Sequence, residues 1–223
     1  MPDRETTMHQ HDLQIIKVGL LSVVMNLCAC AGKDIVVVPS EIDLTARETV
    51  GLVQFEGQDT RGKDITKMFL DNIHSAQKGV LVLELGPEAN LLKEVSRTQL
   101  NAKAIGLIGK EYNVKSIFVG DLKISEPQGK LKIGASLKDM SAGLYTRGSL
   151  DIKFYDSASG ATVWTNSCSG NYKLGGISVG DRGLSGPLRI SAPSDQYEKM
   201  MWDLANCVSR QLYATYRKEK RKK

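Results

Sequence analysis

Histidine is almost missing from this chain: of 223 residues only His9, His11 and His74 are histidines. The first two sit near the start, and His74 stands alone on a helical stretch, the pattern of an ordinary surface or boundary residue. Cysteine is equally sparse, with Cys28, Cys30, Cys168 and Cys207 and no His/Cys cluster at metal-ligand spacing. No Gly-Lys-Ser/Thr phosphate loop is present. Gly180, Gly183 and Gly186 recur every third residue without the lysine that would make them one. The expectation is a protein with no catalytic residue, no metal and no cofactor. Aromatic residues make up only 6%, which predicts a core of Ile, Val, Leu and Met. A strong charge bias is also lacking across the body. The net charge is +5, but residues 217–223 alone net +5, residues 1–29 net −1 and residues 30–216 net +1. A nearly neutral body does not imply a nucleic-acid surface. At 41% hydrophobic and 25% charged residues, a disordered, collagen-like or polytopic membrane protein is excluded.

What is present begins with an address. Behind Lys17 lies the uncharged run Val18–Gly32, fifteen residues, where a spanning helix needs about 20. A short apolar run after a basic residue, ending in small residues, reads as a signal peptide over residues 1–29. Its ending, Leu27-Cys28-Ala29-Cys30, resembles the bacterial lipobox, with Leu three positions before the cysteine and a small residue immediately before it. The resemblance implies that Cys30 becomes the lipid-bearing amino terminus, the several acyl chains giving a firm anchor. Ala31 follows Cys30 where retained inner-membrane lipoproteins often carry Asp, which favours the outer membrane. Export also puts Cys168 and Cys207 in an oxidising compartment, where two unassigned thiols often pair. Cys207 falls beside Val208 at the edge of a helix's apolar stripe, so a Cys168–Cys207 bridge is expected.

Residues 30–48 show no helical period and read as a tether with one edge strand at Ile35–Val38. The domain is expected over 49–216. Thr49–Phe55 is a buried-strand pattern; Ile65, Met68, Phe69, Ile73 and Ala76 carry helical spacing. Val80–Leu85 is a second strand, Glu88–Leu100 and Ala102–Tyr112 are two helices, and Ser116–Ile124 is a third strand. Three alternating strands follow over Lys130–Leu137, Ser149–Tyr155 and Ala161–Ser169. Leu150, Ile152 and Phe154 form the apolar face of the middle strand. Residues 174–193, with five glycines and two prolines, read as a long loop. Ser194 starts a long helix with an inward stripe of Tyr197, Met201, Leu204, Val208, Leu212 and Thr215. The basic end, residues 217–223, reads as a solvated tail suited to that helix's dipole. The fold class is α/β (α+β), a mixed sheet with helices packed on it.

The lipobox, the Val50–Phe55 strand with its polar loop and helix, the strand Ile117–Leu122, and the hairpin Ile152–Trp164 with its Asp, turn and Trp resemble a known group. These are the periplasmic lipoproteins related to the curli secretion channel and to the activators of penicillin-binding proteins. They share a domain similar to the amino-terminal domain of the translocation protein TolB. The resemblance covers about Thr49–Tyr216 and implies a non-enzymatic protein on the periplasmic face of the outer membrane. Its partners would be a cell-envelope complex, the membrane through Cys30 and further copies of itself, with no nucleic acid. Trp164 is expected as a core residue under the sheet. Two alternatives stand beside this reading. One is a subunit of a curli-type pore, for which Leu131–Asp156 would supply a hairpin without a clean lipid-facing stripe. The other is a cytosolic flavodoxin-like nucleotide-binding module, which would make the leader a core element.

Overall fold

The computed structural model describes residues 33–132, 141–178 and 194–220. The leader with Cys30 and residues 179–193 of the glycine-rich segment lie outside the described residues. The described residues divide into two compact units: one of Lys33–Val38 with Thr215–Lys220, the other within Pro39–Ala214.

The small unit is an antiparallel ribbon of β1 (Lys33–Val38) and β8 (Thr215–Lys220). β8 corrects the sequence reading, which continued the last helix through Thr215 and left a solvated basic tail. The helix ends at Ser209, whose hydroxyl turns back to the Ala205 carbonyl at 2.6 Å, a bond that competes with helix continuation. A 3-10 turn, Arg210–Leu212, keeps Leu212 buried, and the β-favouring Thr215 and Tyr216 then pair with Val38 and Val37.

In the larger unit, β2 (Thr49–Gln54), β3 (Leu81–Pro87) and β4 (Ser116–Ile124) are parallel, with β2 in the middle. Being central, β2 is buried on both faces, which is why it reads as a continuous apolar run. α1 (Arg61–Ala76) carries β2 to β3; α2 (Glu88–Glu94) and α3 (Ala102–Glu111) carry β3 to β4. Asn101 caps α3, its side-chain oxygen accepting from the Ala104 N–H at 3.1 Å. The antiparallel half is built on β6 (Ser141–Asp156), flanked on one edge by β4 and β5 (Gln128–Lys132) and on the other by β7 (Thr162–Ser178). The six strands make one mixed sheet. β7 reaches Ser178, so residues 174–178, expected as loop, are strand, and Leu174 is buried. The tight β6–β7 turn is held by Asp156, whose Oδ1 accepts from the Ser159 N–H and hydroxyl at 2.9 and 2.8 Å. Those bonds, followed by Arg47 nearby, hold the Asp156 carboxyl below its usual range. Gly160 sits at φ +68°, where a Cβ would also strike the Ala102 carbonyl at 2.5 Å.

Helices cover both faces. α1 and α4 (Ser194–Ser209) pack on one with Leu150, Ile152 and Phe154; α2 and α3 pack on the other with Val53, Leu85 and Ile117. Aromatic residues matter more than their scarcity suggests. All four phenylalanines join one packed run, Phe55 to Phe69 at 5.3 Å, Phe69 to Phe118 at 5.3 Å and Phe118 to Phe154 at 4.1 Å between centroids. Trp164 stands edge-on to Phe118 at 6.2 Å.

Residues 39–48, expected as tether, instead pack onto this unit with Ile42 and Leu44 buried. The cause is Gln77, just past α1. Its Nε2 donates to the Ile42 and Leu212 carbonyls at 2.6 and 3.0 Å, and its Oε1 accepts from the Leu44 N–H at 2.7 Å. One buried amide thus pins the entering chain to the end of α1 and to the turn after α4. Truncation would strand three buried backbone groups, each costing about 1–3 kcal/mol unpaired. With some recovered by water, Gln77→Ala is expected to lower stability by about 2–4 kcal/mol, read as a fall in the urea midpoint at unchanged slope.

Candidate functional site

Strand order reverses at β2: the chain leaves it by α1 on one face and returns beside it, in β4, after α2 and α3 on the other. In open α/β sheets the carboxyl ends of the strands at such a switch point enclose a crevice. One of about 600 Å³ lies here, lined by Phe55 to Asp59, Glu88 and Asp121 to Ile124. Its walls are tight. A Cβ on Gly62, in the first turn of α1, would meet the Phe55 carbonyl at 2.3 Å. Thr66 locks the same junction, accepting from the Phe55 N–H at 2.8 Å and donating to the Gly62 carbonyl at 2.6 Å. The Glu56 N–H and carbonyl pair with Gly120 and Leu122 at 2.9 and 2.8 Å, fixing the loop to β4.

The crevice collects carboxylates. Glu56, Glu88 and Asp121 line it with Lys123, whose Nζ lies 2.7 Å from Asp121 Oδ2. That hydrogen bond and charge raise the Lys123 pKa. Burial raises the Glu88 carboxyl above its ordinary range, and the Glu56 charge adds to it. Four acids, Asp59 among them, against one lysine repel a phosphate, and the loop after β2, Glu56-Gly-Gln-Asp-Thr60, has none of the glycine pattern of a phosphate cradle. The crevice therefore does not suit the nucleotide-binding alternative. Among the described residues no three His, Cys, Asp or Glu side chains are grouped to hold a metal ion. His74 is exposed in the last turn of α1. Among the described residues no helix is long and apolar enough to cross a membrane.

The second polar constellation is the seam between β7 and α4. Alternate residues of β7 share one face, and three successive ones each make a different bond to the helix end. Trp164 Nε1 donates to Gln211 Oε1 at 2.9 Å, Asn166 Nδ2 donates to the Val208 carbonyl at 2.8 Å, and Cys168 is disulfide-bonded to Cys207 with Cα atoms 6.1 Å apart. Trp164, half-buried against the aromatic run, is thereby a packing residue. Asn166, Gln211 and Gln77 escaped sequence reasoning: single amides carry no pattern, and their partners lie at least 33 residues away. Cys30 lies outside the described residues.

No family model matches the sequence, and no curated protein matches it. Solved structures that do match include the PelC dodecamer from Paraburkholderia phytofirmans, 12% identical at TM-score 0.41, over 82% of this chain and 99% of that one. Lipoprotein GNA1162 from Neisseria meningitidis is 16% identical at TM-score 0.36, over 56% of this chain and 83% of the other. The LpoB C-terminal domain from Salmonella enterica is 7% identical at TM-score 0.33, also over 56% and 83%. Similarity at this level transfers nothing of what those proteins do.

Two outcomes follow from the site. Closing a loop with a sequence separation of 39 constrains the unfolded chain, so Cys168→Ser with Cys207→Ser should cost about 2–4 kcal/mol. A non-reduced tryptic digest should contain the linked peptides and no free pair. Glu88 titrates with the opposite sign to a salt-bridged acid. Its folded pKa is raised, so its contribution favours folding below the unfolded-state value and is lost as pH rises through the folded one. Glu88→Gln is expected to raise the melting temperature at neutral pH, the gain vanishing near about pH 4.

Proposed function

We propose that this chain is a lipid-anchored protein of the bacterial cell envelope. Held through Cys30 on the periplasmic face of the outer membrane, it docks onto or helps assemble an envelope complex and performs no chemistry of its own. The observation that carries the reading is the uncharged run Val18–Gly32 with its ending Leu27-Cys28-Ala29-Cys30. Two features support it. The Cys168–Cys207 disulfide belongs to an oxidising compartment, and it leaves only Cys28 and Cys30 of the four cysteines for another use. Three polar residues of the β6–β7 hairpin also have structural roles: Trp164 and Asn166 hold α4, and Asp156 closes a turn.

Cys30→Ser tests the anchor. In a bacterium that processes lipoproteins, the native chain takes up radioactive palmitate and sediments with membranes. The variant is expected to lose the label and be released to the soluble periplasmic fraction. A variant that stays membrane-bound and matures normally overturns the lipid reading. Affinity capture from detergent-solubilised envelopes should recover envelope proteins, and recovery of unrelated cytosolic proteins alone overturns the docking role.

A further inference from the structure

The β1–β8 ribbon has two unlike faces. Residues of one parity, Ile35 and Val37 on β1 with Tyr216 and Lys218 on β8, are paired across the ribbon as Ile35↔Lys218 and Val37↔Tyr216. The next register pair of that parity is Lys33↔Lys220. The other parity brings Asp34↔Glu219, Val36↔Arg217 and Val38↔Thr215. Both acids of the ribbon thus fall at one set of positions, while the other set holds lysines, two β-branched residues and a tyrosine. The apolar residues of the lysine face are also the more exposed: Ile35 64%, Val37 57% and Tyr216 75%, against 39% and 40% for Val36 and Val38.

Such a ribbon is poorly supported on its own. Two strands without a covered face are marginally stable in water. An anionic apolar boundary lowers that cost: it pairs with the Lys218 charge and takes up the exposed Ile35, Val37 and Tyr216. Tyrosine suits such a boundary, having an apolar ring and a polar tip. Lysine suits it because its stem lies along apolar surface while its charge reaches the headgroups.

We infer that the face bearing Ile35, Val37, Tyr216 and Lys218 docks on the anionic lipid surface of a membrane. The inference rests on the lipid-anchor reading for its location. Cys30 precedes Lys33 by three residues, a span of at most about 11 Å, so an anchored Cys30 holds β1 at the headgroups. Pairing with β8 brings Tyr216 and Lys218 to the same place. Acyl chains and a basic face then act as two signals on one membrane.

The test uses the full chain carrying Cys30→Ser, so that no acyl chain contributes. Its sedimentation is compared with vesicles of phosphatidylcholine alone and with vesicles containing phosphatidylglycerol. The leader nets −1 over residues 1–29 and gives no preference for the anionic vesicles, so the ratio between the two reports the basic face. A preference is expected that weakens strongly from about 0.05 M to about 0.5 M salt. Adding Lys33→Gln, Lys218→Gln and Lys220→Gln should cut partitioning to the anionic vesicles by about a hundredfold. Arg217→Gln, at a position of the other parity, should change it by less than its share of charge. If the triple variant does not fold, the salt series on the chain without those three substitutions decides the same question. Equal binding to both vesicles overturns the inference and leaves the lysines as solubilising edge residues. Retention on duplex DNA without a vesicle preference also overturns it. Palmitate labelling separates the two readings: label without anionic preference removes this inference alone, while preference without label removes the anchor reading alone.

Discussion

Contact among five aromatic rings organises the larger unit. Phe55, Phe69, Phe118, Phe154 and Trp164 come from the end of β2, α1, β4, β6 and β7, so the run crosses the parallel and antiparallel halves of the sheet and one covering helix. Rings of this size bury more apolar area than any aliphatic residue and add geometric preference to it. Trp164 ends the run and passes the constraint to α4 through Gln211. From there β7 continues the attachment by an amide on the last turn and a disulfide one residue before Val208. The position of α4, and with it the burial of Met200, Leu204 and Val208, depends on that sequence of contacts.

The same order of priorities explains the crevice. A switch point makes an opening at the ends of parallel strands whatever the chain does there. In this chain Thr66 and the close approach at Gly62 make it rigid, and Glu56, Glu88 and Asp121 make it acidic. Its electrostatics favour cationic over phosphorylated ligands. The opposite sign of charge is concentrated in the ribbon of the smaller unit.

Legibility from sequence followed the range of the interactions. β2, α1 and β4 were readable because periodicity is local: Ser116–Ile124 is strand at the expected bounds, and the alternation at Leu150, Ile152 and Phe154 marks the buried face. The mixed sheet with packed helices follows from that order of elements. Non-local pairings were not readable. β8 exists because Thr215–Lys220 meets Lys33–Val38 from the far end of the chain, and no window around Tyr216 contains that partner. The attachment of residues 39–48 depends on one glutamine side chain, and the aromatic core depends on phenylalanines scattered from Phe55 to Phe154. Composition alone undervalued them because it counts rings without locating them.

The proposed lipid anchor at Cys30 and the Cys168–Cys207 bond both change the mass of the chain, and intact-mass spectrometry of the protein recovered from detergent-solubilised membranes tests them together. The account predicts a chain beginning at Cys30, heavier by a thioether-linked diacylglycerol and a further acyl group, and lighter by the two hydrogens lost in forming the Cys168–Cys207 bond. An unprocessed chain that retains Val18–Gly32, bears no lipid and has all its thiols free would contradict it.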